Sequence, residues 1–154
     1  MKKTNNNKGF TLVELIVVLV ILAILAAILV PALLGYIDRA REKQYVLNAK
    51  SALTATQAEF SSLYGAGKSM CPASVQARAS VISRTADTPD GTHFYTVIQD
   101  GVEATSANHA AYTVTKAYYV EKGFYIVYDG SAWETYDADT YAAAIAGDTY
   151  TMVY

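Results

Sequence analysis

The segment that most constrains this chain is residues 15–34, a run of 20 consecutive residues without a charge. As an α-helix it would rise about 30 Å at roughly 1.5 Å per residue, which is the thickness of the hydrocarbon core of a bilayer. The segment therefore predicts a membrane-spanning helix. Residues 1–9 are polar and include Lys2, Lys3 and Lys8, which favours a cytoplasmic N-terminus.

Composition excludes several classes of protein. Of the 154 residues, 53% are apolar and 17% are charged, which is not the composition of a disordered polar chain. The formal net charge of −2 argues against a basic nucleic-acid binder. Cys71 is the one cysteine in the sequence, so an intrachain disulfide and a zinc site of several thiolates are both excluded.

Three interpretations of the apolar segment compete, and Glu14 distinguishes them. A secretory signal peptide, cut near residues 30–32, has an apolar region of roughly 7–15 residues, which is shorter than this one. A plain membrane anchor leaves Glu14 unexplained, since an ionisable side chain in a spanning helix costs about 2.5–3.5 kcal/mol. The third interpretation gives the carboxylate a role.

Residues 9–15, GFTLVEL, resemble the class III signal of type IV pilins and pseudopilins. The resemblance implies that a membrane peptidase cuts after Gly9 and then methylates the new N-terminal residue, Phe10. Glu14 occupies the position of the family's glutamate, five residues into the mature chain. Pro31 is the 22nd residue counted from Phe10, where many of these proteins carry a proline.

The same resemblance implies an organisation and a set of partners. Residues 1–9 would be the leader, 10–35 the membrane and filament-core helix, and 36–154 a head outside the cytoplasmic membrane. The Phe10 ammonium of an incoming subunit would neutralise Glu14 of its neighbour and set the axial register. The implied partners are homologous pilin subunits, the prepilin peptidase and methyltransferase, and an inner-membrane assembly platform. No cofactor and no metal is implied, and the assembled subunit would lie in a pilus on the cell surface.

Helical periodicity continues past the apolar segment to about residue 64. Apolar residues recur near one face, and charged residues occupy much of the remainder. The residues on that face are Val46, Ala49, Leu53, Phe60 and Tyr64. Pro31 lacks a backbone donor and predicts a kink, to which Gly35 adds backbone freedom.

Beyond this helix the pattern changes to short elements. Residues 73–86 predict a second helix, 88–91 a turn, and 138–146 a short alanine-rich helix. Strands rich in Tyr, Val, Ile and Thr are predicted at 93–99, 111–115, 117–121, 124–128, 132–136 and 150–154. Together they predict an α+β protein, in which the amphipathic half of the long helix packs on an antiparallel sheet. This is also the lollipop-like fold that the resemblance implies.

No catalytic constellation is evident, and the chain is not expected to be an enzyme. His93 and His109 belong to no recognisable motif, and Cys71 precedes a proline in a loop. Aspartates cluster near the last hairpin, where two interpretations stay open: turn acids in water, or the calcium site of some pseudopilins. These aspartates are Asp129, Asp137 and Asp139.

Thirteen tyrosines are the other unusual feature, and sheet packing or an adhesive surface would each account for them. Direct nucleic-acid binding is not expected, because leader removal lowers the formal charge from −2 to −5. The sequence thus predicts a structural subunit of a type IV pilus. The alternative within the family is a pseudopilin of a type II secretion or competence system. Outside the family, it is an enzyme or binding domain on a plain anchor.

Overall fold

The computed structural model describes residues 9–99, 101–105 and 107–154. Four α-helices lie in this part of the chain: α1 Leu12–Gly65, α2 Pro72–Gln76, α3 Ala79–Ala86 and α4 Ala138–Ala144. The strands are β1 His93–Val97, β2 Ala117–Glu121, β3 Phe124–Tyr128, β4 Trp133–Tyr136 and β5 Tyr150–Met152. A 3₁₀ helix covers His109–Tyr112. The chain divides into two compact units, one up to Ala40 and one from Arg41 to Tyr154.

In the first unit, α1 is exposed on every side. Each described residue up to Gln44 is exposed, including the apolar ones. The helix is assigned without a break through Pro31, which supplies no amide hydrogen to the helical ladder. The lysines of the leader lie outside the described residues.

In the second unit, one face of α1 forms one side of the hydrophobic core. The buried residues of this face are Ala49, Ala52, Ala55, Thr56, Phe60 and Leu63. Three residues of the predicted stripe, Val46, Leu53 and Tyr64, pack partly buried against the same core. The alanines leave little side-chain bulk on this face, so the aromatic side chains of the sheet fill the space above them.

The five strands form one antiparallel sheet in the order β4-β3-β2-β1-β5. The first four strands are a meander, and β5 returns to pair with β1. Phe94, Tyr119 and Ile126 lie side by side in register and are fully buried toward α1. The predicted α+β class, with the helix packed on an antiparallel sheet, is confirmed.

One predicted strand, 111–115, is wrong. The chain there forms the end of the 3₁₀ helix His109–Tyr112 and then an extended segment outside the sheet. The side-chain amide of Gln57 takes the place of a partner strand: its Nε2 donates to the carbonyl of Tyr112 (2.8 Å), and its Oε1 accepts from the amide of Val114 (2.8 Å). The backbone groups of this β-rich segment are therefore paired by a helix residue far away in sequence.

The other predicted elements are present with altered bounds. The helix predicted at 73–86 is two helices, with a turn at Ala77 and Arg78 between them. The Arg78 guanidinium lies 2.9 Å from the carboxylate of Glu59 on α1. The hairpin between β2 and β3 turns through Lys122 and Gly123, whose φ angles are +49° and +82°. Positive φ at both positions is the signature of the two-residue turn that matches strand twist.

Candidate processing and assembly site

The two residues that flank the predicted cleavage point are fully accessible. Phe10 is 75% exposed. Gly9 is exposed, and no heavy atom lies within 4 Å of the position that a Cβ would take there. Neither residue belongs to α1, which begins at Leu12. The peptide bond between them is thus in non-helical chain, as a peptidase substrate requires.

Thr11 and Glu14 cap the N-terminus of α1 by hydrogen-bonding to each other. The backbone amide and the hydroxyl of Thr11 both donate to Glu14 Oε2, at 2.8 Å and 2.6 Å. The amide of Glu14 donates back to Thr11 Oγ1 at 3.3 Å. This reciprocal arrangement is a capping box, which satisfies amide donors that the first helical turn leaves unpaired.

The capping box was missed in the sequence, although its signal is local. A threonine followed three residues later by glutamate, before an apolar run, is the pattern for such a cap. The finding gives Glu14 a partner inside its own chain. It also places the carboxylate at the positive end of the helix dipole, which stabilises a negative charge there.

The helix that follows presents a continuous apolar surface. By length and composition, α1 contains a stretch that can cross a membrane, with a mean hydropathy of 3.3 over its most apolar window. The large apolar side chains from Leu12 to Leu34 are all between 46% and 74% exposed. Such a surface is unstable in water, because each square ångström of apolar area left in water costs about 25 cal/mol. This part of the helix therefore requires lipid or other helices around it.

Pro31 and Gly35 border a shallow groove on the same helix, next to Ala32, Tyr36 and Arg39. No heavy atom lies within 4 Å of a Cβ built on Gly35. The helix backbone is accordingly accessible to a close neighbour along this groove.

The two histidines and the cysteine lie in separate parts of the fold. His93 is exposed on β1, with its ring 6.4 Å from that of Tyr95. His109 is exposed at the start of the 3₁₀ helix. Cys71 is half-buried and caps α2, where its Sγ accepts from the amide of Ser74 at 3.4 Å.

The aspartates near the last hairpin shape the backbone. Asp129 accepts from the amides of Ser131 and Ala132, both at 2.8 Å, and these bonds lower the pKa of its carboxyl. Asp137 caps α4 by accepting from the hydroxyl and amide of Thr140, which lowers its pKa as well. Within residues 9–99, 101–105 and 107–154, no group of three or more His, Cys, Asp or Glu is placed to hold a metal ion.

Five of the tyrosines form a cluster on the sheet face that lies opposite α1. Rings contact one another in sequence from Tyr95 to Tyr150, Tyr118, Tyr141 and Tyr125, with centroids 4.6–6.3 Å apart. Burial, together with the charge that a neighbouring Tyr150 would carry, raises the pKa of Tyr141 to about 12. Five aromatic side chains thus form one packed layer beneath and beside α4.

A partly buried polar contact lies beside this layer. The phenol of Tyr118 donates to Asp148, and Lys116 Nζ lies 2.9 Å and 3.0 Å from the two oxygens of the same carboxylate. The Tyr118 hydrogen bond and then the lysine lower the pKa of Asp148. Sequence reasoning missed this triad, since the residues are about thirty positions apart and share no motif.

Comparison with known families adds one positive finding. The family model of the prokaryotic N-terminal methylation motif matches residues 4–30. No curated protein and no solved structure matches the chain significantly. The match covers the residues that flank Gly9 and Phe10, the capping box and most of the apolar segment. This chain therefore carries the prokaryotic N-terminal methylation motif, which is the class III signal peptide of type IV pilins and pseudopilins.

Proposed function

We propose that this protein is a structural subunit of a type IV pilus. The peptidase removes residues 1–9 by cutting between Gly9 and Phe10, and Phe10 is then N-methylated. The observation that carries the proposal is the methylation motif at 4–30 on a helix whose apolar surface is exposed on every side. A subunit of this kind has no need of a cofactor, because its function is cohesion.

The proposal assigns a separate role to each segment of the chain. Residues 10–35 first cross the cytoplasmic membrane and later form the filament core, while residues 36–154 form the extracytoplasmic head. The N-terminus faces the cytoplasm, where the leader lysines hold it. Partners are copies of the same chain, the prepilin peptidase and methyltransferase, and the inner-membrane assembly platform.

Glu14 sets the register between neighbouring subunits in this proposal. Cleavage leaves an ammonium group at Phe10, and a carboxylate in an apolar environment is tolerable when a cation pairs with it. Before assembly, Thr11 supplies the hydrogen bonds of this carboxylate from the same chain. Pairing with a neighbour's ammonium then adds the positive charge that Thr11 lacks.

Pro31 and Gly35 contribute at the next turns of the helix. The missing amide of Pro31 weakens the helical ladder, so α1 bends there when neighbours pack against it. The open groove beside Gly35 lets another helix approach closely, as small residues do between helices in lipid.

The proposal is tested by expressing the chain in cells with a prepilin peptidase and an assembly platform. The wild type is compared with Gly9→Leu, and a conservative exposed change in the same span, Val18→Ile, is the matched control. We expect the wild type and the control to lose the leader and to enter the sheared-fibre fraction. Gly9→Leu is expected to stay uncut in the membrane. Processed chains confined to the envelope would support a pseudopilin instead, and efficient assembly of uncut Gly9→Leu would contradict the proposal.

A further inference from the structure

The two ends of the β2–β3 hairpin carry surfaces of opposite character. At one end is the hairpin tip, which we define as Lys122, Gly123 and Phe124. At the other end is a cleft above the outer face of the sheet, which we call the acid–aromatic cleft. Its lining residues are Lys116, Tyr118, Val127, Tyr128, Asp129, Glu134, Tyr136, Ala144 and Asp148.

The acid–aromatic cleft is too small for an organic ligand of ordinary size. Its volume is about 180 Å³. Pockets that enclose drug-sized molecules or cofactors have volumes of roughly 300–1,000 Å³. The cleft is therefore suited to a single protruding side chain.

The charge of the cleft selects a cation. Three carboxylates and one ammonium line it, which leaves an excess of negative charge. Lys116 is bound to both oxygens of Asp148, so these two charges largely neutralise each other. Asp129 and Glu134 are exposed carboxylates that no lysine or arginine pairs with among the ion pairs of the described residues. Tyrosine rings beside them add faces that attract a positive charge.

The hairpin tip presents such a cation on a firm support. Lys122 is exposed at a two-residue turn whose backbone is fixed by the flanking strand pair. Phe124, next to it, is 36% exposed, and its ring lies 4.6 Å from that of Tyr45 on α1. The tip therefore combines a charge with an apolar contact, and it does not depend on a mobile loop.

The tip and the charged end of the cleft, at Lys116 and Asp129, lie at opposite ends of the β2–β3 hairpin. Near the tip, Glu121 accepts from Asn48 Nδ2 at 2.9 Å. At the other end of the same segment, Val114 donates to Gln57, nine residues further along α1 and about 14 Å away along its axis. The β2 strand thus runs antiparallel to α1. Asp129, which follows the far end of β3, is about 16 Å from the tip along the hairpin, whereas the near rim of the cleft is Tyr136, in register with Tyr125.

We propose that the hairpin tip of one subunit docks in the acid–aromatic cleft of the next copy of this chain, with Lys122 facing Asp129 and Glu134. The proposal rests on the proposed assembly into a fibre. Two unlike surfaces on one subunit make a head-to-tail contact between copies, and such contacts generate open helical polymers. Among the ion pairs of the described residues, none joins Lys122 to Asp129 or Glu134 of its own chain, and the complementary charges of tip and cleft make a second copy the occupant.

Zero-length cross-linking of intact wild-type fibres tests the contact directly. A carbodiimide joins a lysine to a carboxylate only where the two groups touch, and mass spectrometry then locates each bond. The Lys116–Asp148 pair, at 2.9 Å within one chain, is the internal positive control. We expect a second bond from Lys122 to Glu134 or Asp129. Fibres that yield the control bond without any bond from Lys122 to the cleft would overturn the proposal.

Charge exchange supplies the second test. Lys122→Glu and Glu134→Lys are expected to lower the yield of sheared fibres at least about fivefold each, because like charges then face one another. The double variant restores an opposite pair in every contact and should recover to within about twofold of wild type. Lys68→Glu, an exposed charge reversal away from both surfaces, is the control and should assemble normally.

Leader removal separates this proposal from the proposed function. All of these variants should be cut at Gly9, and their heads should unfold at the wild-type temperature. If single variants assemble like wild type, or the double variant is as defective as either single one, the contact is refuted while the pilin assignment stands. If the wild type itself is neither cut nor assembled, the proposed function fails.

Discussion

The two units of this chain use apolar residues in opposite ways. Up to Gln44, α1 exposes every side chain, whereas from Ala49 onward its residues alternate between buried and exposed. In the second unit the helix meets the sheet of its own chain, and Phe60 is 1% exposed. In the first unit Leu19 is 57% exposed, although it is just as apolar. We therefore expect the apolar surface of the first unit to pack against lipid or other helices.

Two glutamates, Glu121 and Glu14, differ between the units in the same way. Glu121 is 3% exposed in the second unit and accepts hydrogen bonds from Asn48 (2.9 Å) and Tyr119 (2.6 Å), so its partners come from the folded head. Glu14 is exposed, and its hydrogen-bond partner within the described residues is Thr11, one turn away. An exposed carboxylate held by a local contact is accessible to a partner from another molecule, as the proposed register role of Glu14 requires.

The largest effect is expected from Glu14→Ala. We expect the yield of sheared fibres to fall at least about a hundredfold, because leaving one member of a buried ion pair unmatched costs about 3–5 kcal/mol. Membrane insertion should persist, since the change makes the span more apolar. Glu42→Ala, an exposed carboxylate on the same helix, is the control and should assemble normally. Normal fibres from the Glu14 variant would refute its role in register.

Truncation of an apolar side chain should affect the unfolding free energy differently in the two units. Phe60→Ala is expected to lower the unfolding free energy of the head by about 3–5 kcal/mol, because it removes a large buried ring. Leu19→Ala should change that free energy by less than about 0.5 kcal/mol, because Leu19 is exposed. Denaturant unfolding of the full chain in detergent measures both. Equal effects would mean that the first unit is part of the same core.

Removing the Gln57 side chain, which joins α1 to the 112–114 segment, should have an intermediate effect on stability. Gln57→Ala deprives the Tyr112 carbonyl and the Val114 amide of their partner, and we expect a loss of about 1–3 kcal/mol in unfolding free energy. Gln44→Ala is the matched control, since Gln44 is exposed and bonds only one turn along the same helix. If the two variants are equally stable, Gln57 does not hold the 112–114 segment.

Two glycines offer a matched comparison. Gly130 and Gly147 have φ of +99° and +91°, so alanine strains the backbone at both. At Gly130 a Cβ would also lie 2.9 Å from the carbonyl oxygen of Thr115, whereas Gly147 is open. We expect Gly147→Ala to cost about 1 kcal/mol and Gly130→Ala to cost about 1–3 kcal/mol more. Thermal unfolding measures both, and equal shifts would contradict the close contact.

The weakest effect is the acid dependence of the head. The pKa values of Asp129, Asp137 and Asp148 are lowered in the folded state. A lowered pKa stabilises the fold above the unfolded value, about 3.9, and that contribution is lost as pH falls through the folded value. The unfolding free energy should therefore stay level above about pH 5 and decline below about pH 4. Asp148→Asn should flatten the decline, and Asp90→Asn, in an exposed turn, should not.

Local patterns in the sequence predicted much of the head. The buried stripe of α1 follows from the spacing of its apolar residues, and the β2–β3 turn follows from Lys122 and Gly123 between two β-rich runs. The strand at 111–115 failed because Gln57, more than fifty residues away, decides what the backbone of Tyr112 bonds to. A hydrogen-bond partner this far away in sequence cannot be predicted from the neighbouring residues alone.

The candidate site divides in a similar way. The motif around Gly9, Phe10 and Glu14 was evident in the sequence, and a family model matches its residues 4–30. Their roles in cleavage, methylation and register remain predictions. The Thr11–Glu14 cap was readable in the sequence and went unnoticed, whereas the Lys116–Asp148 pair had no sequence signal at all.

The proposed function requires that this chain is processed at Gly9 and polymerises through its first unit. Intact-mass measurement and N-terminal sequencing of fibres sheared from the native cells examine both requirements together. We expect an abundant chain that starts at Phe10 and carries one added methyl group. A chain that still starts at Met1, or one cut after Ala32, would contradict it.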